Sequence, residues 1–161
     1  MAIAISLAQY LADHGVKYEV VEHPQTATAR ESARTSHIPL KHLAKAVLLK
    51  ADHGFVLAVL PASGHIRFNR IREQLGPNVD MASEEQIEAL FHDCKPGAVP
   101  ALGPAYGLKV IIDKTLTDEP EVYFFEGGDH ASLVHVSGST FQQLLRDARH
   151  ARFAEWGRET L

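Results

Sequence analysis

Two apolar runs in the middle of the chain give the clearest strand signals. Residues 46–51 and 55–61 are rich in valine and leucine, and the Asp52-His53-Gly54 segment between them is typical of a turn. The two runs therefore predict a β-hairpin. Shorter apolar runs predict further strands at residues 17–22, 108–113, 121–126 and 133–137.

Apolar residues at helical spacing separate these strands. Three segments begin with a capping box, a serine followed three residues later by a glutamine: Ser6 with Gln9, Ser83 with Gln86, and Ser139 with Gln142. Residues 29–36 predict a polar helix, and Asn69 is expected to cap a short helix that ends at Gly76. The last helix is expected to carry Arg146, Arg149 and Arg152 at every third position.

The order of these elements indicates one domain over residues 1–161. Strands and single helices interleave, several neighbouring strands read as antiparallel, and there is no repeat, low-complexity segment or long linker. The pattern predicts an α/β or α+β domain with a mixed sheet. Residues 94–107 contain three prolines and three glycines, which predicts a loop with a constrained backbone.

Composition narrows the class of protein. The 161 residues are 45% hydrophobic and 22% charged, which is ordinary for a globular domain in water, and no apolar run is long enough to span a membrane. The first residues lack the basic start of a signal peptide, and the single cysteine excludes an internal disulfide framework, so the cytoplasm is expected. The net charge of −4 argues against binding along a long nucleic-acid duplex but allows binding to the end of a nucleic acid.

Three places can carry chemistry. Lys45 begins an apolar strand, where its ammonium can enter a cleft to hold a phosphate, or can reach water from the strand end. The loop around Gly97 and Pro100 can hold backbone groups rigidly against a small molecule, or can be an ordinary connection. His130 follows two glycines at the mouth of a hairpin, where it is expected to be accessible for proton transfer or paired to the backbone.

Other chemistries fit less well. His92 with Cys94, and His37 with His42, match no metal-binding signature, so neither a metal nor another cofactor is expected. Ser63 lies two residues before His65, but the sequence around it lacks the GxSxG pattern of a nucleophile elbow, so a serine nucleophile is not expected. Cys94 can be a thiol nucleophile or a packed side chain.

Taken in order, five segments resemble the YbaK and prolyl-tRNA synthetase-associated editing domain family. They are LAKAVLLK, VLPASGHIRFNRIREQLG, MASEEQIEALF, PGAVPALG and FFEGGDHASLVHVS, and the resemblance covers about residues 5–148. It implies a single α/β domain with a central mixed, barrel-like sheet flanked by helices. It also implies hydrolysis of the ester of a wrongly charged tRNA. Because no synthetase is attached to this chain, it resembles the free-standing members that act in trans.

The resemblance assigns site residues by position. The family lysine falls on Lys45, its glycine-proline loop on residues 97–100, and its Gly-x-His element on residues 128–130. Lys45, Gly97 and His130 are thus the implied catalytic residues. The implied substrate-binding residues are Val21, Ser63, Gly64, Ala98, Val99, Pro100, Gly128 and Asp129.

The chain also departs from the family pattern. Some members that remove cysteine carry a tyrosine that aligns roughly with Val21, and those members lack a histidine at the position of His130. Gly64-His65-Ile66 replaces a more polar, Asp-containing run. Since these positions line a discriminating pocket, specificity for cysteine does not transfer. Small residues such as Ser63 and Ala98 favour alanine, serine or threonine, with tRNA-Pro as a candidate carrier.

A mechanism follows from these assignments. Lys45 would hold the terminal phosphate or ribose of the tRNA acceptor end. Backbone groups of Gly97 and Ala98 would hold the ester carbonyl, or a water or ribose hydroxyl, in line. His130, steadied by Asp129 and the glycine turn, would contact the aminoacyl group or transfer a proton. Further tRNA contacts are expected from two sets of cations: Arg30, Arg34 and Lys41, and Arg146, Arg149 and Arg152.

A monomer that docks on a synthetase is compatible with this function. The alternatives are a hydrolase of another small ester or amide, and a non-catalytic module that binds an aminoacyl end, an amino acid or a nucleotide.

Overall fold

The computed structural model describes residues 3–26, 28–118 and 122–156, and an eight-stranded mixed sheet forms its centre. The strands are β1 (Glu19–Glu22), β2 (Leu43–Ala51), β3 (Gly54–Pro61), β4 (His65–Ile66), β5 (Asp80–Met81), β6 (Lys109–Asp113), β7 (Val122–Glu126), β8 (Ser132–Ser137), β9 (Arg149–Ala151) and β10 (Ala154–Glu155). The helices are α1 (Ile5–Asp13), α2 (Ala29–Thr35), α3 (Phe68–Leu75), α4 (Glu84–Leu90), α5 (Thr115–Asp118) and α6 (Gly138–Leu144). Short 3₁₀ turns span Leu40–His42 and Gly103–Tyr106.

The sheet runs in the order β1-β8-β7-β2-β3-β6-β9, with β5 added beside β2. The pairs β2–β7, β3–β6 and β6–β9 are parallel and the rest are antiparallel, so the predicted mixed sheet is confirmed. The described strands form an open sheet, because its edge strands β1 and β9 do not pair with each other. The mixed sheet flanked by helices that the resemblance implied is confirmed, and within the described residues this sheet is not closed into a barrel.

The predicted hairpin is confirmed. Strands β2 and β3 pair antiparallel from Ala44 opposite Pro61 to Ala51 opposite Gly54. Valine and leucine side chains from the two strands alternate between the faces of the sheet and supply core on both sides.

Apolar side chains cover both faces of this sheet. One large cluster packs α1 and α6 against it through Leu7, Phe91, Phe125 and Phe141, all of them buried. The opposite face holds a cluster around Leu49, Leu60, Ile71 and Phe153. A third, smaller cluster packs α2 over the sheet through Ala33, Leu43 and Leu133. This last cluster forms the floor beside the candidate site.

Some predicted helix boundaries are wrong. Helix α1 has Ala4 at its N-cap, and the backbone N–H of Ser6 donates instead to Asp93 Oδ2 at 2.8 Å. Helix α3 starts after Arg67 without a side-chain cap, so Asn69 lies inside it. The capping box of Ser83 and Gln86 is confirmed, with both of its hydrogen bonds present. These outcomes show that a tertiary partner such as Asp93 can override a local capping pattern.

The last predicted helix is shorter than the sequence suggested. Ser137, two residues before the predicted cap, accepts the N–H of Thr140, and α6 ends at Leu144. Arg149 lies instead in β9, where its Nη1 donates to the Gln74 carbonyl at 2.6 Å. The three arginines therefore do not form one helical stripe, and the cationic patch predicted for that helix is wrong. No described helix has the length and apolar character needed to cross a membrane.

Candidate functional site

A cleft of about 300 Å³ opens where α2, the start of β2, the end of β7 and the proline-rich loop meet. Small side chains form much of its wall, and ionisable groups stand at several points around it. The lining residues are Thr28, Ala29, Arg30, Lys45, Ala46, Ala62, His65, Gly97, Val99 and Glu126. Two of the three residues predicted to be catalytic, Lys45 and Gly97, thus border one cavity.

The position of Lys45 follows from the strand register. Lys45 lies opposite Leu60 in the hairpin, one residue beyond the Ala44–Phe125 pair between the parallel strands β2 and β7. The next residue of β7 is Glu126, so the same register brings a lysine and a glutamate to one place on the sheet. Alternation puts both on the face that carries Leu43 and Phe124, beneath α2.

Glu126 is a buried acid without a hydrogen-bond partner. Its relative exposure is 2%, and neither carboxyl oxygen receives a hydrogen bond within the described part of the chain. Burial raises its pKa to about 7; the nearby Ser32 hydroxyl lowers this value, and the charge of Asp129 raises it. The Ser32 Oγ lies 2.7 Å from Thr26 Oγ1, and either hydroxyl can be the donor in that contact.

This raised pKa makes the stability of the protein depend on pH. The folded state retains a proton that the unfolded chain loses above its ordinary value of 4.5, so stability falls as pH rises from 4.5 to about 7. Glu126→Gln cannot ionise, so it removes this dependence of stability on pH. Between pH 5 and pH 8 we expect the unaltered protein to lose about 2–3 kcal/mol of unfolding free energy that Glu126→Gln does not lose. Urea denaturation at the two pH values measures this change, and a constant difference would contradict it.

His130 is not accessible, which corrects the prediction from the hairpin. It is 4% exposed and lies outside the lining of the cleft. Its backbone has φ +59°, and its ring Nε2 lies 2.5 Å from the carbonyl oxygen of Pro96. The turn after Gly128 directs the ring inward, so His130 contacts the Pro96–Gly97 peptide and also lies beside Glu126, with 3.9 Å between Nδ1 and Oε2.

The Pro96–Gly97 peptide borders the cleft through Gly97. The two ends of a trans peptide point in opposite directions, so the Gly97 N–H points away from His130. Gly97 has φ +81°, and its N–H makes no hydrogen bond within the described residues. An unpaired backbone N–H at a cavity wall can stabilise a developing negative charge on oxygen.

The neighbouring loop residues take different places. Val99 lines the cleft as predicted. Ala98 and Pro100 are buried outside it, and the Ala98 N–H donates to the Lys95 carbonyl at 3.1 Å. The expected contribution of the Ala98 N–H to the ester carbonyl is therefore wrong, since that group is already used within the loop.

Four more predicted binding residues lie outside the lining of the cleft. Val21 is partly buried in the cluster beneath α2, and Ser63 Oγ accepts a hydrogen bond from Trp156 Nε1 at 2.9 Å. A Cβ on Gly64 would lie 3.4 Å from the same indole. Gly128 has φ +115°, and a Cβ there would approach Ala4 to 2.9 Å, so this glycine serves close packing.

Asp129 has a structural part in the turn. Its carboxyl oxygens accept the Ala131 N–H at 2.9 Å and the Ser132 hydroxyl at 3.2 Å. This is the local bonding that an aspartate in a turn is expected to make. It fixes the backbone that carries His130.

The thiol of Cys94 is unsuited to nucleophilic attack. Burial raises its pKa to about 12, and its sulfur lies 3.3 Å from the Tyr106 hydroxyl. At neutral pH it is a protonated, packed side chain. Within the described residues, no group of three or more His, Cys, Asp and Glu side chains could hold a metal ion.

Sequence reasoning missed the buried acid of this site. Glu126 ends an apolar strand, and a charged residue in such a position was the available signal. Arg30, expected only as a tRNA contact, lines the cleft itself, whereas Arg34 and Lys41 are exposed outside it.

A larger cavity of about 870 Å³ lies near α6, but its charged side chains, Lys109, Asp147 and Arg149, are all exposed.

Comparison with known proteins agrees with this architecture. A solved structure described as a candidate trans-editing enzyme for prolyl tRNA synthetase superposes with a TM-score of 0.80 at 22% identity, over 93% of this chain and 95% of that one. A candidate signal transduction protein from Marinobacter aquaeolei VT8 gives a TM-score of 0.73 at 20% identity, over 93% of this chain and 30% of its own. These likenesses establish the fold.

Sequence relatives and a family model give evidence on the family as well as on the fold. Proline–tRNA ligase of Staphylococcus epidermidis is 27% identical over 120 residues, 73% of this chain, and that of Thermosipho africanus is 29% identical over 70 residues, 43% of this chain. The matches span only 20% and 12% of those ligases. The model of the aminoacyl-tRNA editing domain matches residues 23–144, which include Lys45, the Gly97 loop and the His130 turn. The chain therefore belongs to the aminoacyl-tRNA editing domain family.

Proposed function

We propose that this protein is a deacylase that hydrolyses, in trans, the ester bond of a tRNA charged with the wrong small amino acid. The observation that carries the proposal is the convergence of Lys45 and Gly97 on one cleft, in a chain of the editing family. The Gly97 N–H makes no hydrogen bond within the described residues. The matches to proline–tRNA ligases favour tRNA-Pro as the carrier.

The charges of the cleft suit the end of an acylated tRNA. Lys45 and Arg30 are cations on opposite elements, β2 and α2, and can hold the phosphate and ribose of the acceptor end between them. Only the last nucleotide needs to enter a cavity of about 300 Å³. Recognition of an end rather than a duplex is consistent with the net charge of −4.

The chemical step needs little from the protein beyond positioning. An aminoacyl ester is already activated, so a water molecule can attack its carbonyl carbon once the ester is held in line. The Gly97 N–H would stabilise the oxyanion that forms, and Lys45 would add positive charge nearby. The bond between the carbonyl carbon and the ribose oxygen then breaks, and the ribose oxygen takes up a proton given up by the attacking water, which leaves a free amino acid and an uncharged tRNA end.

Small wall residues favour small amino acids. Ala29, Ala46 and Ala62 line the cleft in place of the predicted Ser63 and Ala98. A cavity can exclude a larger side chain by steric overlap, while one missing methylene group changes binding by only about 1–3 kcal/mol. We therefore expect turnover to fall as the amino acid grows beyond the size of threonine.

Deacylation of a panel of charged tRNAs tests this proposal. tRNA-Pro carrying alanine, serine, threonine, cysteine or proline is incubated with the protein, and the ester remaining is measured over time. We expect rapid loss of one or two of the smaller amino acids, and loss no faster than in buffer for the Lys45→Ala protein. Hydrolysis of all esters alike would contradict the size argument. No hydrolysis of any ester, with retained binding of the acylated end, would identify a non-catalytic binding module.

A further inference from the structure

The proposed mechanism leaves two buried polar groups unexplained. Both Glu126 carboxyl oxygens and the His130 Nδ1 lack hydrogen-bond partners within the described residues. These orphaned atoms face each other, with Glu126 Oε2 3.9 Å from Nδ1, and both side chains are at least 95% buried. Buried polar atoms without partners are costly, so a pair of them side by side calls for a shared explanation.

The other ring nitrogen of His130 settles where one proton lies. A carbonyl oxygen can only accept, so the Nε2 that meets the Pro96 carbonyl carries hydrogen. The Nδ1 atom is therefore either a lone pair that can accept from a protonated Glu126, or an N–H that can donate to the carboxylate. Both arrangements place one proton between the two side chains and leave the pair without net charge.

We propose that Glu126 and His130 hold one proton between them, and that Glu126 is thereby the positioning residue that keeps the His130 ring bonded to the Pro96–Gly97 peptide. This role rests on the proposed deacylase function, because the peptide it orients carries the Gly97 N–H at the cleft. Glu126 acts through His130 and the loop rather than on the substrate.

Loss of that proton must break one of the two contacts. With Glu126 ionised and His130 neutral, an Nε2–H ring turns its Nδ1 lone pair towards the carboxylate. The other tautomer, with hydrogen on Nδ1, turns the Nε2 lone pair towards the Pro96 oxygen. In either state two hydrogen-bond acceptors face each other in a buried place with no hydrogen between them. Because such a contact is unfavourable, the ring and the Pro96–Gly97 loop are held together less firmly. The raised pKa of Glu126, about 7, puts this change near neutral pH.

Other charged groups surround this pair. Asp129 lies in the same turn and raises the Glu126 pKa. Lys45 from β2, Arg30 from α2 and His65 from β4 line the cleft beside it. His23 is buried next to the turn and bonds through its backbone to Ala131, and the protonated thiol of Cys94 lies beside Gly128. Because these groups are shared by the variants described below, differences between the variants report on Glu126.

Nitrogen NMR of histidine-labelled protein tests the shared proton directly. The His130 signals are assigned with His130→Gln and followed from pH 5.5 to 8.5 in the unaltered protein and in Glu126→Gln. We expect hydrogen on Nε2 at low pH, a change of the ring signals near pH 7, and no such change in Glu126→Gln, because its amide donates to Nδ1 at every pH. Identical titrations in the two proteins, or a bare Nε2 at pH 6, would overturn the inference.

Single-turnover deacylation of alanine-charged tRNA-Pro tests the consequence for the site. After subtraction of enzyme-free hydrolysis, we expect the rate of the unaltered protein to fall about tenfold between pH 6.5 and 8.5, and that of Glu126→Gln to stay level. Glu126→Ala should be slow at both pH values. If Glu126→Gln is as slow as Glu126→Ala throughout, the carboxyl group takes part in the chemistry and positioning is refuted. The expected NMR result without any deacylation would overturn the proposed function alone.

Discussion

Lys45→Ala is expected to lower kcat/KM for the preferred mischarged tRNA by about two to three orders of magnitude. Lys45 supplies a positive charge at the wall of a partly enclosed cleft, where charge interactions are stronger than in water. Its removal takes away both the contact to the acceptor end and part of the stabilisation of the oxyanion. The measurement is steady-state deacylation with each protein, together with thermal unfolding to verify that the fold is retained.

Lys50→Ala is the matched control for this prediction. Lys50 lies on the same strand, opposite Phe55, but it is exposed and does not line the cleft. We expect its kcat/KM to stay within about twofold of the unaltered protein. If the Lys45 variant retains more than a third of the activity, or if both variants lose activity equally, the assignment of Lys45 to the site is wrong.

Asp113→Ala is expected to cost about 3–5 kcal/mol of unfolding free energy, the largest loss of stability among these predictions. Asp113 is 1% exposed at the end of β6. Its Oδ1 accepts the N–H groups of Phe153 at 2.8 Å and Ala154 at 2.9 Å, and its Oδ2 accepts the Thr115 N–H at 3.0 Å and the Thr115 hydroxyl at 2.5 Å. Alanine would leave these donors without an acceptor.

Urea denaturation of Asp113→Ala, Asp113→Asn and Asp147→Ala measures this effect. The asparagine keeps one oxygen acceptor, so its loss should be smaller, while the exposed Asp147 should change stability by less than about 0.5 kcal/mol. The Phe153 contact also attaches the segment after β9 to the core, so we expect faster proteolysis after residue 148 in the alanine variant. An unfolding free energy within 1 kcal/mol of the unaltered protein would contradict the prediction.

Much of the fold could be predicted because local and tertiary preferences agree. The valine- and leucine-rich runs of β2 and β3 are buried on both faces, and the turn between them has a glycine at the position where φ is +126°. The Ser83 capping box formed because its helix end is exposed and no other acceptor among the described residues bonds to the N–H groups of Ser83 and Gln86. Where a tertiary partner competes, as Asp93 does at α1, the local pattern failed.

The candidate site could be predicted only in part. Lys45 and Gly97 were candidates from the strand and loop patterns, the resemblance implied that they are catalytic, and the structure brings them to one cleft. His130 was expected at the surface, because two glycines before it suggested an open hairpin. Its inward position depends on a contact with Pro96, 34 residues away in the chain, and no local pattern carries that information.

The sequence by itself determined the strand and helix types, the central hairpin and the family, because these depend on hydrophobic periodicity and on residue order. Only the tertiary structure decided which polar groups meet. The parallel pairing of β2 with β7 brings Lys45 beside Glu126, and the turn at Gly128 buries His130 against the loop. Such meetings depend on register and burial between distant segments, and the same burial raises the pKa of Glu126 to about 7.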